Sequence, residues 1–278
     1  MNKFIKLIVL VFLWAIVWYF VHGEIYEQFL NSQFDSSTAF ILFIVISFVS
    51  VVVFQIAFLA FIIKKEKVKS FRSFFKIETL DIKGIWLCLG LGLIMQVINA
   101  AFLFKLLLEP ARNFLISLGI SGQKIGLGSG EMVPLLSSSQ AIFLTVFLLL
   151  FWWVEIPEEL FFRGYIQNKL QDIVGKNIAM FLSALIWDIS HLWGLINILE
   201  RFFYGLIYAL VFRSRQNTTA PMIVHPIGNR SLLLAVIIPQ IWGRKLDTVP
   251  TMLFTLFLYI TLILLVIIGW RILKLDRK

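Results

Sequence analysis

The chain has 278 residues, of which 60% are hydrophobic and only 15% are charged. This balance excludes an ordinary soluble domain and predicts an all-α polytopic membrane protein. The formal net charge of +9 is explained by positive residues in short loops between spans, so we expect no nucleic-acid partner. The single cysteine, Cys88, cannot form an internal disulfide and is expected to pack in the interior.

Apolar runs recur along the chain and predict about eight transmembrane helices, with the lipid bilayer as a partner. The predicted spans cover residues 4–21, 39–63, 85–108, 139–162, 177–199, 202–212, 219–239 and 249–272. The first run lacks a cleavage site and is expected to be retained, with Trp14 in an interfacial aromatic belt. Basic residues follow alternate spans, most densely in residues 64–72. They predict a multi-pass protein with both termini in the cytoplasm, in the plasma membrane if the cell is prokaryotic.

One stretch, residues 155–164, places several charges at the end of the fourth predicted span. Its sequence is Glu155-Ile-Pro-Glu158-Glu159-Leu-Phe-Phe-Arg163-Gly. A charged side chain at membrane depth costs about 2.5–3.5 kcal/mol on insertion scales, so such a cluster indicates function. Glu159 and Arg163 are four apart with the acid first, which favours an ion pair on a helix. At least one remaining carboxylate lacks a local cation and is a candidate for chemistry.

Two of the three histidines of the chain, His191 and His225, lie within predicted spans downstream of this stretch. Buried histidines are often structural, but two of them beside an unpaired carboxylate favour a functional site. His225 and Asn229 are four apart, so both side chains project from one face of a helix. Two such donors can stabilise a developing oxyanion.

These motifs resemble those of the CPBP family, the CAAX-processing and bacteriocin-processing intramembrane proteases, also called Abi proteins. Glu158-Glu159-Leu-Phe-Phe-Arg163 is similar to the EExxxR motif, and His191 and His225-x-x-x-Asn229 are similar to the second and third motifs. The resemblance implies a membrane-embedded active-site cavity. It also implies Glu158 as general base, His191 as a group that orients water, and His225 and Asn229 as the oxyanion hole. Glu159 and Arg163 would hold the helix end in place.

The resemblance also divides the chain into three regions. Residues 1–138 would form N-terminal transmembrane helices and loops, 139–238 the protease core, and 239–278 a C-terminal transmembrane helix and a basic tail. The implied activity is an endopeptidase that cuts a membrane-associated peptide or protein near the cytoplasmic interface. The alternatives are a catalytically silent membrane scaffold or bacteriocin-immunity-type protein of the same fold, and a small transporter.

The sequence leaves three points about the site open. Cofactor use is uncertain: the site has no metal, or zinc is held between Glu158, His191 and His225. Trp187 stands where the family has phenylalanine, a tolerable replacement if the ring only packs. Asp188, three residues before His191, is either a partner that fixes the imidazole tautomer or an acid paired with a lysine or arginine elsewhere.

Overall fold

The computed structural model describes residues 5, 7–16, 36–98, 109–117, 136–150, 155–191 and 195–229. Within these ranges every regular element is a helix, which confirms the all-α class. The described helices are α1 (Leu7–Ile16), α2 (Ser36–Lys65), α3 (Phe71–Phe74), α4 (Ile82–Ile98), α5 (Glu109–Ser117), α6 (Ser138–Leu150), α7 (Glu155–Glu159, Leu160–Gln167 and Asn168–Val174 in succession), α8 (Lys176–Ile189), α9 (Leu195–Arg215) and α10 (219–229).

Helix α2 is the one described helix that is long and apolar enough to cross a membrane. It ends at Lys64 and Lys65, where positive charges interact favourably with the helix C-terminus. Three shorter apolar helices, α1, α4 and α6, overlap other predicted spans. The predicted span at 249–272 lies outside the described residues, so the number of eight spans stays a prediction.

The predicted spans at 177–199 and 202–212 are wrong in their boundaries. Helix α8 ends at Ile189, and Ser190 and His191 form a turn. Ser190 stabilises this end because its backbone N–H bonds the Ile186 carbonyl and its hydroxyl donates to the Trp187 carbonyl over 2.7 Å. Helix α9 is then a single helix of 21 residues. It includes the polar residues at 200–201, where the sequence predicted a break between two spans, because apolar residues continue on both sides of them. His191 therefore lies just beyond a helix end and not in mid-span.

Helix α7 lies at the centre of the main hydrophobic core. Its buried residues pack with buried residues from α1, α2, α4, α8, α9 and α10. Trp14 of α1 is fully buried there and stacks on Phe161, with ring centroids 4.5 Å apart. The aromatic belt predicted for Trp14 is therefore wrong at this position, because the ring faces α7. The contact joins the N-terminal helix to the helix that carries the EExxxR motif.

Close helix packing at a glycine brings α4 against α10. A Cβ atom added at Gly92 would lie 2.9 Å from the Val224 carbonyl oxygen, so only glycine allows this approach. Cys88, one turn earlier on α4, is buried and unpaired, as predicted for a packing residue. The approach places α10, which carries His225, beside the core.

Candidate active site

The helix that carries the acidic motif changes its hydrogen-bonding pattern within the motif. Residues Glu155–Glu159 are α-helical and Leu160–Gln167 are π-helical. A π-helical turn bonds residues five apart and leaves carbonyl groups in need of other donors. One such donor is Ser183 of α8, whose hydroxyl bonds the Phe162 carbonyl oxygen over 3.2 Å. Irregular turns of this kind are frequent at functional sites.

Glu158 is buried and is held by two neutral donors, one on each carboxylate oxygen. Gln55 Nε2 of α2 donates to Oε1 over 3.2 Å, and Trp187 Nε1 of α8 donates to Oε2 over 3.2 Å. Trp187 therefore does more than pack, since phenylalanine has no ring donor. Two fixed donors define the orientation of the carboxylate without giving it a cationic partner.

His191 faces the same carboxylate oxygen from the turn after α8. Its Nδ1 lies 2.6 Å from the Trp187 carbonyl oxygen, which can only accept, so Nδ1 carries a proton. In the neutral ring Nε2 is then an acceptor, and it lies 3.9 Å from Glu158 Oε2. Two acceptors at this separation can both receive a hydrogen bond from one water molecule. The geometry is therefore compatible with the water-orienting role that the resemblance implies for His191.

The tautomer-fixing role predicted for Asp188 is wrong, because the Trp187 carbonyl occupies Nδ1 of His191. Asp188 is almost completely buried, and neither of its carboxylate oxygens has a hydrogen-bond partner among the described residues. Arg201 of α9 supplies a nearby positive charge. The structure thus favours the other interpretation, an acid that interacts with an arginine elsewhere.

A second buried network joins Glu159, Arg163 and His225. His225 Nδ1 lies 2.8 Å from Glu159 Oε1, and Arg163 Nε lies 3.4 Å from Glu159 Oε2. Arg163 Nη2 also donates to the Gly205 carbonyl oxygen over 3.2 Å. The predicted ion pair between Glu159 and Arg163 is therefore present, and both side chains are fully buried. Glu159 connects the helix that carries Glu158 to the helix that carries His225.

The His225 ring is fixed by stacking as well as by Glu159. Its plane lies on the ring of Tyr208 with centroids 4.3 Å apart, and the ring of Trp187 meets it edge-on at 5.5 Å. Because Nδ1 donates to a carboxylate, Nε2 can donate only when the ring carries two protons.

Asn229, one turn beyond His225, is exposed, and its amide nitrogen donates to Glu155 Oε1 over 3.4 Å. An amide nitrogen carries two hydrogens, so this bond leaves the second one for another acceptor. Glu155 therefore holds Asn229 in place from the start of the described part of α7. The residues predicted to form the oxyanion hole are each oriented by a glutamate of the motif stretch.

The start of α10 is fixed against the segment that precedes α4. Asn217 bonds both backbone groups of Glu78, accepting from the N–H over 3.2 Å and donating to the carbonyl over 3.1 Å. The Thr218 hydroxyl donates to the Phe75 carbonyl oxygen, and the Thr218 N–H donates to the Lys76 carbonyl oxygen over 2.9 Å. These bonds set the position from which His225 reaches Glu159.

The zinc site considered for Glu158, His191 and His225 does not fit this arrangement. Within the described ranges no three His, Cys, Asp or Glu side chains converge closely enough to share a metal ion. His225 directs Nδ1 at Glu159, while His191 faces Glu158. We therefore derive no step through a metal.

Two side chains that contact the motif residues were not predicted from the sequence. Gln55 is the only carboxamide in the apolar helix α2, and that isolation was the available signal. Tyr208 lies in an apolar run of α9 without a motif around it, and only the fold brings it against His225. Both are fully buried.

Comparison with known proteins gives one family and no individual relative. Residues 140–231 match the family model described as Type II CAAX prenyl endopeptidase Rce1-like. No curated protein and no solved structure gives a significant match to the chain. The matched segment contains the acidic stretch, His191, His225 and Asn229. The part of the chain that carries these motifs therefore matches the CAAX-processing protease family that the sequence resembles, a family of membrane-embedded CAAX-type endopeptidases.

Proposed function

We propose that the protein is an intramembrane endopeptidase that hydrolyses a peptide bond of a membrane-associated peptide or protein. Glu158 and His191 support this proposal, because a buried carboxylate and an imidazole acceptor face each other across 3.9 Å. A water molecule between them would donate one hydrogen bond to each. In the proposed reaction Glu158 takes a proton from this water as its oxygen bonds the scissile carbonyl carbon.

His225 and Asn229 would then stabilise the negative charge that develops on the oxygen of the scissile carbonyl group. Asn229 offers its second amide hydrogen, and a doubly protonated His225 offers Nε2–H while Glu159 holds Nδ1. Donors that are already oriented stabilise an oxyanion without reorganisation. When the tetrahedral intermediate collapses, the carbon–nitrogen bond breaks and the proton held by Glu158 passes to the leaving amine.

The observation that carries the proposal is the setting of Glu158. Among the residues that the structure describes, its carboxylate accepts only from the neutral donors of Gln55 and Trp187, whereas Glu159 on the same helix is paired with Arg163. A carboxylate that is oriented but not neutralised by a cation is suited to accept a proton. Glu159 is suited instead to hold other groups in place.

The test is cleavage of a library of membrane-tethered peptides by the purified protein in detergent. We expect cleavage by the wild type, loss of cleavage with Glu158→Gln, and no effect of a strong zinc chelator on the wild type. Loss of activity with chelator and recovery with added zinc would contradict the metal-free mechanism. Equal cleavage by wild type and Glu158→Gln would contradict the role of Glu158.

The alternative is a catalytically silent scaffold or immunity-type protein. It is favoured by the fact that Asn229 and His225 already bond Glu155 and Glu159, as they would if these polar groups only held the helices together. An unchanged cellular phenotype with Glu158→Gln, together with absence of cleavage by the wild type, would support this alternative.

The proposal also includes the membrane topology and the extent of the protease core. We take the chain to have about eight spans with both termini in the cytoplasm, and residues 139–238 to form the protease core. The family match supports a membrane-embedded protein, and the exposed apolar side chains of α2 and α6 suit contact with lipid. The substrate is then an extended peptide segment presented at the cytoplasmic interface.

A further inference from the structure

The helix α2 carries one fully buried side chain that apolar packing does not explain. Gln55 lies on an otherwise apolar stretch, and its side chain is completely inaccessible to solvent. Burying an amide costs free energy unless both of its ends are bonded. Its amide oxygen has no hydrogen-bond partner among the described residues, so only the donor end compensates this cost. That donor end meets Glu158 Oε1 at 3.2 Å.

The contact comes from a part of the chain that the family match does not include. Gln55 lies 103 residues before Glu158, whereas the matched segment begins at residue 140. Helix α2 packs directly on the start of α7, and its apolar residues Phe54 and Phe58 join the aromatic cluster around Phe161. The packing holds the Gln55 amide at a fixed distance from the carboxylate.

Two donors on one carboxylate have a geometric consequence. Trp187 alone would leave Glu158 able to rotate about the bond to its carboxylate group, since it binds only Oε2. With Gln55 on Oε1, both oxygens are fixed, and Oε2 remains directed at Nε2 of His191. A general base acts efficiently only when its oxygen is held within hydrogen-bond reach of the water that it deprotonates.

We propose that Gln55 is a positioning residue that fixes the Glu158 carboxylate for proton transfer from water. This inference rests on the proposed function, because it assigns Gln55 a part in that reaction. It also assigns α2, outside the matched segment, a direct part in the site. Gln55 does not touch the substrate, so its loss is expected to change turnover and not substrate binding.

The experiment compares Gln55→Met with Gln167→Met in the full-length protein. Gln167 is a matched control, because it is also a fully buried amide with an unbonded oxygen, and its nitrogen donates to the Ala209 carbonyl oxygen over 2.9 Å. Both changes remove one buried hydrogen bond and keep the side-chain length. We expect Gln55→Met to lower kcat roughly 10- to 100-fold with KM changed less than twofold, whereas Gln167→Met lowers the melting temperature and leaves kcat unchanged.

A second variant guards against loss of folding. Gln55→Asn keeps an amide but withdraws it by one methylene, and we expect the same loss of kcat, while its melting temperature compared with that of Gln167→Met shows that the protein is folded. Wild-type kcat in both Gln55 variants, while Glu158→Gln is inactive, would overturn this inference and leave the proposed function intact. Cleavage by Glu158→Gln at the wild-type rate would overturn both.

Discussion

Replacement of Arg163 by methionine tests whether the buried ion pair supports the fold around the site. Arg163 is completely buried, and its guanidinium lies 3.4 Å from Glu159 and 3.2 Å from the Gly205 carbonyl oxygen. It also lies over the rings of Trp187 and Tyr208, at 5.5 and 5.8 Å from their centroids. Methionine retains much of the apolar packing but removes the charge.

The expected cost follows from what the change leaves behind. Glu159 would remain fully buried with His225 as its remaining partner, and breaking a buried pair on one side costs about 3–5 kcal/mol of unfolding free energy. The double variant Arg163→Met with Glu159→Gln removes both charges. We expect it to be more stable than Arg163→Met alone, because no uncompensated charge remains.

Denaturant titration in mild detergent measures these differences. The matched control is Lys169→Met on the same helix, which breaks an ion pair with Glu66 at 3.5 Å whose side chains are 41% and 28% exposed. Exposed pairs contribute about 0–1 kcal/mol, so this change should have little effect. Equal stability of the Arg163 and Lys169 variants would refute the assignment of Arg163 to a structural ion pair.

Three further changes test individual contacts. Trp187→Phe keeps an aromatic ring but removes the donor to Glu158 Oε2, so kcat should fall roughly tenfold in the peptide cleavage assay, and an unchanged kcat would contradict the role of that bond. Gly205→Ala places a Cβ atom 2.9 Å from Trp187 Cε3, so denaturant titration should show a loss of about 1–3 kcal/mol, and wild-type stability would contradict this close approach. Asp188→Asn should leave turnover unchanged, because the Asp188 carboxylate makes no hydrogen bond with the His191 ring, and a tenfold loss would restore the role that the sequence suggested.

The sequence predicted those parts of the site that depend on local spacing. The pairing of Glu159 with Arg163 follows from a separation of four residues on a helix, and the ion pair is present. Local positions showed only that Arg163, the one basic residue of the stretch, cannot pair with all three carboxylates, and the resemblance to the EExxxR motif then pointed to Glu158. Helical periodicity was sufficient for the ion pair, and the family motif was needed for Glu158.

The rest depends on contacts between distant segments. The spacing of Asp188 and His191 suggested a contact between their side chains, but the helix ends at Ile189 and the His191 ring bonds the Trp187 carbonyl instead. The donor on Trp187 was missed because ring orientation is set by tertiary packing. Gln55 was missed because no local pattern shows which residue a helix side chain will meet across 103 positions.

The central claim is tested most directly by comparing Glu158→Gln with Glu155→Gln on one cleaved substrate. Both carboxylates lie on α7, and both residues are 4% exposed, so the two changes are closely matched in burial and chemistry. Glu155 bonds Asn229 and Glu158 faces His191. We predict that Glu158→Gln abolishes cleavage, while Glu155→Gln retains measurable turnover at the same cleavage site. Retained cleavage by Glu158→Gln would contradict the account.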